Sequence, residues 1–281
     1  EALPGWFFSA LDGQGGCATI RMIAVQPLHS MHLPLPWLLP TDPLPDVHGA
    51  WGADSPAPGL LAAGTDLGVA RLVEAYGKGI FPWFSPHQPV LWWSPHPRMV
   101  LDIDHFRLHR SLRKSIARLR QSAHCEIRID HGFRTVMAAC ASKPRHGQTG
   151  TWIVPEMIEA YTALHAAGHA HSVETWIDGQ LAGGLYCVAI GKAVFGESMF
   201  AHRSDASKIA LAALVALCRA QGAAWIDCQQ NTAHLAFLGA REIDREAFLA
   251  RLARARAEPA LEWSFDPLYW DTLLAGPNAQ A

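Results

Sequence analysis

Asp227 and Gln229 stand two residues apart in the run AWIDCQ, and two apart on an extended strand means one shared face. From there Asp227 can accept a hydrogen bond from the Gln229 amide nitrogen and turn the amide oxygen toward an incoming group. A structural role at a strand end is the alternative. Glu197 is a further carboxylate with chemical potential. It sits in VFGESMF among Val194, Phe195, Met199 and Phe200, where an unpaired charge would be costly if buried, so it needs a partner: a ligand or an internal cation. Trp83, in FPWF, offers a flat ring whose stacking on a base is worth roughly 1–3 kcal/mol; a place in the core competes with that reading. His165, His169 and His171 lie close together, but they straddle a helix stop at Gly168 and no His-Glu-x-x-His pattern accompanies them. Surface or capping histidines are favoured over metal ligands.

Charge is distributed unevenly. The net charge of −2 over 281 residues resolves into −4 for residues 1–97, +5 for residues 98–120 and −3 for residues 121–281. A block of +5 within so short a stretch reads as an anion site or as a merely solvated face. Arg110, Arg113, Lys114 and Arg118 recur there at helical spacing, with Leu108, Leu112, Ile116 and Leu119 opposite, which predicts an amphipathic helix with a basic outer side.

The elements that must position these residues follow from periodicity and punctuation. Residues 32–60 are rich in Pro, Gly and Asp and read as an irregular lead-in; a helix capped by Thr65 or Asp66 runs to about Tyr76. The run IFPWFSPHQPVLWWSPHPR is too broken by Pro to be helical and too aromatic to be an ordinary loop. A short strand near 126–130 and a helix from Phe133 to Ala141 come next, then a helix with Pro155 at an early position and Met157, Ile158, Tyr161 and Leu164 along one side. Three strand-like runs, SVETWID, LAGGLYCVAI and AVFGESMF, form an antiparallel meander; Ser204 or Asp205 caps the long helix SKIALAALVALCRAQG, AWIDCQ follows as a strand, and a last helix covers about Arg245 to Arg254. Meander, long helix, strand is the order of an acetyltransferase-like core.

Composition narrows the function classes. A chain of 30.7 kDa, 50% hydrophobic and 17% charged, with mean hydropathy +0.07, is neither a disordered segment nor a disulfide miniprotein. Its apolar stretches are interrupted before the roughly 20 residues a bilayer span needs. The six cysteines form no Cys-x-x-Cys pair, which points to reduced thiols and a cytoplasmic setting. The first 21 residues lack a basic n-region and are not read as a secretory signal; Met22 or Met31 is the expected start.

Four segments in unbroken order, GLLAAGTDLGVARLVEAYGKGIFPWFSPHQPVLWWSPHPR, TWIVPEMIEAYTALHAAGHAHSVE, GGLYCVAIGKAVFGESMF and IDCQQNTAHLAFLGAREI, resemble the leucyl/phenylalanyl-tRNA-protein transferase family over about Gly59 to Leu252. The resemblance implies an α+β fold, with a small N-terminal α/β domain (residues 32–97) and an acetyltransferase-like (GNAT-like) catalytic domain (residues 98–258), between an N-terminal extension (1–31) and a C-terminal tail (259–281). It implies transfer of Leu or Phe, or Met, from aminoacyl-tRNA to proteins that begin with Arg or Lys, marking them for degradation. Carried over by position, Trp83 packs against the terminal adenosine of the tRNA, and Trp152 and Tyr161 surround that nucleotide and the acceptor peptide, although Tyr161 also lies on the apolar side of its helix. Glu197 stands at the reaction cleft beside Ser198 and Met199, and Asp227 and Gln229 are the catalytic pair. Leu185, Val194, Met199 and Ile226, with Leu211 or Leu214, are candidates for the donor pocket or plain core. Arg98, Arg110, Arg113, Lys114 and Arg118 grip tRNA phosphates. An aminoacyl ester is already activated, so neither cofactor nor metal is expected. The chain departs from the family in Thr65, where Gly is usual, and in Ala201, where Ser is usual.

Two rivals remain. A CoA-dependent acyltransferase of the same fold would want a Gly-rich loop before the long helix, but the join is FAHRSDASK. A non-catalytic RNA or peptide binder would equally use aromatic rings and a basic face.

Overall fold

Proline and glycine leave the first part of the chain only short extended segments, and these find one another. In the computed structural model, which describes residues 35–142 and 153–275, β1 (Trp37–Leu38), β2 (Leu60–Gly64), β3 (Phe81–Pro82) and β4 (Val90–Trp93) form a sheet in the order β1-β2-β4-β3. The Pro-broken aromatic run is thus a hairpin: Phe81 pairs with Trp93, and Trp92 is 1% exposed. Helix α1 (Val69–Gly77) begins later than its sequence signals suggest. Gly68 takes the N-cap position, while the Asp66 side chain accepts a hydrogen bond from the Gly68 N–H.

The remaining strands build a larger sheet, β11-β5-β10-β9-β8-β7-β6. Its members are β5 (Arg98–Asp102), β6 (Cys125–Ile129), β7 (Ala170–Ile177), β8 (Gln180–Ile190), β9 (Ala193–Ala201), β10 (Trp225–Gln229) and β11 (Arg241–Ile243). The meander β7-β8-β9 is antiparallel, whereas β10 lies parallel to β9 because the helix α5 (Ala206–Gln221) crosses over between them. The fold class is α+β. The β9/β10 pairing comprises Ile226 with Val194 and Asp227 with Phe195; beyond it β9 continues to Ala201 and β10 to Gln229 unpaired with each other. The two strands therefore part at Asp227.

Strand alternation sends Val194 and Phe195 to different hydrophobic clusters. On one side, α1, α3 (Phe133–Ser142), α4 (Pro155–Ala166) and the small sheet share a core that includes Leu61, Tyr76, Trp92, Tyr161 and Phe195. On the other, α2 (Arg110–Gln121) lays Leu112, Ile116 and Leu119 toward α5, whose interior is buried from Ile209 to Cys218. Asp205 stands at the α5 N-cap, but its side chain makes no capping bond and instead takes Ser115 Oγ at 2.9 Å and Lys208 Nζ at 3.2 Å. Short α6 (Ala233–Phe237) connects β10 to β11, and α7 (Arg245–Ala255) follows. The described part of the stretch read as a tail returns to the protein: α8 (Tyr269–Leu274) buries Trp270 and Leu273 with the α5 cluster. No helix among the described residues is long and apolar enough to cross a membrane, and Cys125, Cys140, Cys187, Cys218 and Cys228 are free thiols. Replacing Trp270 with Ala should cost about 3–5 kcal/mol, read from the urea midpoint, because a docked indole leaves a cavity that the α5 face cannot close.

Candidate active site

Glu197 is the meeting point. Where β9 leaves β10, its Oε1 accepts the Tyr76 hydroxyl at 2.8 Å and the Gln229 side-chain Nε2 at 3.2 Å. The Tyr76 and Tyr161 oxygens are 2.5 Å apart. Since Tyr76 has one proton and gives it to Glu197, Tyr161 donates to Tyr76, making a relay that draws on α4, α1, β9 and β10. Burial, with the Glu197 charge adding to it, holds both phenols well above their ordinary pKa, so both serve as neutral donors. Burial also pushes the Glu197 carboxyl up to about 8, with the Asp227 charge reinforcing the rise, and the Tyr76 bond and the Arg98 charge opposing it. Among the described residues, both donors go to Oε1, which leaves Oε2 for a ligand.

Beneath this network lies an ion pair without solvent access. Arg98 Nε donates to Asp227 Oδ1 at 2.9 Å and Nη2 to Oδ2 at 2.6 Å; the two residues are 1% and 0% exposed. The guanidinium sits between two rings, 5.0 Å from the Phe81 centroid and 4.5 Å from that of Phe248, and its Nη1 reaches the Gly79 carbonyl. Asp227 Oδ1 also takes the Gln229 backbone N–H at 2.9 Å, while the strand register shifts between the two residues and Gln229 adopts φ +56°. That left-handed conformation is sparsely populated for a non-glycine residue and needs such support.

These contacts revise several sequence expectations. The Gln229 side chain does not bond Asp227, whose oxygens are occupied by Arg98 and the main chain; the register shift turns the amide to Glu197 instead. Arg98 is not a surface cation: it is sealed inside, where no phosphate reaches it. Tyr161 is fully buried and meets the site only through Tyr76. Trp83 is half-buried at the edge of the core shared by Tyr76, Tyr161 and Phe195, its ring 5.4 Å from that of Trp93. Trp152 lies outside the described residues. Leu185, Val194, Leu214 and Ile226 come together in the cluster on the α5 face, with Leu211 beside them and part-exposed Met199 at its edge. Ser198, also part-exposed, pairs in register with Tyr186. On α2, Arg110, Lys114 and Arg118 are exposed with no acidic partner among the described residues, whereas half-buried Arg113 donates to the Leu274 carbonyl at 3.3 Å. Arg107 is equally exposed and likewise has no acidic partner among the described residues.

Tyr76 is the member that sequence reasoning missed. Its only signal is a tyrosine at the end of an apolar helix, whose hydroxyl must find a partner if buried. Of the histidines expected at the surface or in capping positions, His165 stands in the last turn of α4 and is part-buried, and His171 is buried. His171 stacks on Trp263 and its Nδ1 is 2.7 Å from Asp130; His165 stacks on Phe133 and its Nδ1 is 2.7 Å from the Ala170 carbonyl oxygen. Ligand atoms of Asp130, His165 and His171 lie within 4.8 Å of one another, but both Nδ1 atoms are engaged in these internal bonds.

Residues 100–253 match the family described as leucyl/phenylalanyl-tRNA protein transferase, and residues 65–96 match that family's N-terminal domain. A relative of that name from a Polaromonas species is 60% identical over 241 residues, covering 86% of this chain and 94% of its own. The chain belongs to the leucyl/phenylalanyl-tRNA-protein transferase family. Relatives of the same name from Methylibium petroleiphilum (59% identical over 239 residues, 84% of this chain and 90% of theirs) and Burkholderia vietnamiensis (59% over 232 residues, 83% and 91%) agree. The matched family region includes Tyr161, Glu197, Asp227 and Gln229, while Tyr76 and Trp83 fall within the N-terminal match, so the relay joins the two parts of a transferase of this family.

Two measurements check the site. Asp227→Ala leaves a buried guanidinium unpaired and should cost about 3–5 kcal/mol of stability, read by chemical denaturation. Because the folded-state pKa of Glu197 is raised, the folded protein holds a proton that the unfolded chain releases, and this contribution to stability falls as pH rises from about 4.5 to about 8. Glu197→Gln should therefore gain on wild type across that window and by no more above it, as followed by thermal unfolding at each pH.

Proposed function

We propose that this aminoacyltransferase moves Leu or Phe, with Met as a further donor, from aminoacyl-tRNA to the α-amino group of proteins that begin with Arg or Lys, creating a degradation signal. We assign the chemistry to an acetyltransferase-like domain (residues 98–258), completed by a small N-terminal domain (residues 32–97). Beyond family membership, the observation that carries the reading is the hydrogen-bonded chain Tyr161, Tyr76, Glu197, Gln229 at the point where β9 and β10 part.

Aminolysis of an ester runs downhill, so the protein mostly has to position. The acceptor α-amine, with a pKa near 8, presents a useful neutral fraction. Its nitrogen attacks the ester carbonyl carbon, the bond to the ribose oxygen breaks, and the amine's proton leaves to water or to that ribose. With its Nε2 on Glu197, the Gln229 amide turns Oε1 away as an acceptor for an amine N–H; an amide is too weak a base to remove the proton outright, so it aligns. Glu197 Oε2 becomes a second acceptor, for the cationic acceptor residue, once the carboxyl has given up its proton. Asp227 acts as a positioning residue, setting the Gln229 main chain. The donor side chain enters where the strands part, past Met199, whose flexible thioether suits both aliphatic and aromatic shapes. Arg110, Lys114 and Arg118 supply phosphate contacts that read charge rather than sequence.

The CoA-dependent alternative is disfavoured by Asp205: a carboxylate at the start of α5 opposes the pyrophosphate that such a helix would hold. Transfer of labelled Leu from charged tRNA to an Arg-started protein tests the proposal, and absence of transfer by wild type overturns it. Gln229→Ala should lower kcat at least about tenfold with little change in KM for tRNA. Arg110→Glu with Lys114→Glu should raise that KM, reduce the salt slope by about 2 and leave kcat near wild type.

A further inference from the structure

Phe237 is among the few large apolar side chains left in solvent, 58% exposed, and the reaction network does not use it. Its ring lies flat on the His109 imidazole, with centroids 3.9 Å apart and planes 12° from parallel. His109 Nε2 is 3.1 Å from the Phe237 carbonyl oxygen, and the Arg107 N–H donates to the Leu238 carbonyl at 2.9 Å. Gly239, at φ +102°, brings the chain so close to the His105 carbonyl oxygen that a Cβ would collide with it. The stacked pair is therefore fixed from three sides.

Its location follows from the topology. Trp225 at the start of β10 pairs with Asp102, and Gln229 at its end pairs with Met99. The pair sits with residues 105–109, beyond the Asp102 end of β5, so the length of β10, four residue steps or about 14 Å, lies between it and Gln229. Exposed Arg107 and Arg110 flank it, with Lys114 one turn further along α2. The nearby acids do not neutralise them: Asp102 holds Arg241 and Arg251, and Asp104 lies 3.9 Å from Arg219. An exposed, immobilised ring among unpaired cations suits an unpaired nucleotide, which offers a π-face to the ring and a phosphate to the arginines.

We propose that the His109–Phe237 pair is a stacking platform for an unpaired base of the donor RNA, in the single strand that leads to the aminoacylated 3′ end. This rests on the aminoacyl-tRNA reading. About four stacked nucleotides, at ~3.4 Å each, span that length, and fewer do so when extended. The ring thus sets how the strand approaches the cleft, while the terminal nucleotide is held elsewhere.

The test uses two labelled RNA hairpins, one with an unpaired 3′ tail and one blunt, titrated by anisotropy against wild type, Phe237→Ala and Phe237→Trp. Phe237→Ala should weaken binding of the tailed hairpin by at least about fivefold and leave the blunt one unchanged, and Phe237→Trp should retain affinity. Unchanged binding of the tailed hairpin by Phe237→Ala, or equal weakening of both hairpins, overturns the proposal. So does a wild-type self-association that Phe237→Ala abolishes, which would make the ring a protein contact. Should wild type bind the tailed hairpin through Phe237 yet transfer no Leu, the platform stands and the transferase reading fails.

Discussion

A guanidinium closed on one carboxylate, sealed between two phenyl rings, is the interaction on which the site depends. Arg98 comes from the first strand of the large sheet and Asp227 from the strand beside it, while Phe81 belongs to the small sheet and Phe248 to α7. Such a pair yields little net stability, since desolvating two charges offsets their attraction, but either partner alone would be severely destabilising. What it yields here is geometry. Asp227 has no oxygen to spare for substrate, so its effect passes through the backbone of Gln229, held in a conformation the chain would not otherwise keep.

Above that foundation, the chemistry is assembled from groups that are weak taken singly: two neutral phenols, an amide and a carboxyl whose proton leaves only near pH 8. None is a strong base. Their arrangement suits a reaction whose energy arrives with the substrate, where orientation and a few well-aimed acceptors account for most of the work.

Much of the architecture was legible because the meander and the long helix carry strong local signals: three strand-like runs in succession and an almost uninterrupted apolar helix. Glu197 was legible as a charge in need of a partner. The partner was not, because Tyr76 lies 121 residues away and tertiary packing of α1 on α4 and β8 brings it near. The relation of Asp227 to Gln229 was misread for a different reason. A spacing of two implies a shared face only on a regular strand, and the register shift between them is a property of pairing with β5 that spacing does not encode. Arg98 counted as surface charge because a lone arginine in sequence carries no mark of burial. The resemblance implied a small N-terminal α/β domain, but residue pattern did not place the strands of its sheet, which are short and hidden among prolines.

Tyr76 travels on α1, which packs against α4, β8 and β3, and from there it donates a hydrogen bond to Glu197 on the large sheet. A shift of α1 by about an ångström relative to β9 would stretch the 2.8 Å contact past useful length and detach Tyr161 from Glu197 at the same stroke. The seating of α1 is thus a mechanical gauge. Whatever loosens it parts the phenols from the carboxyl they serve.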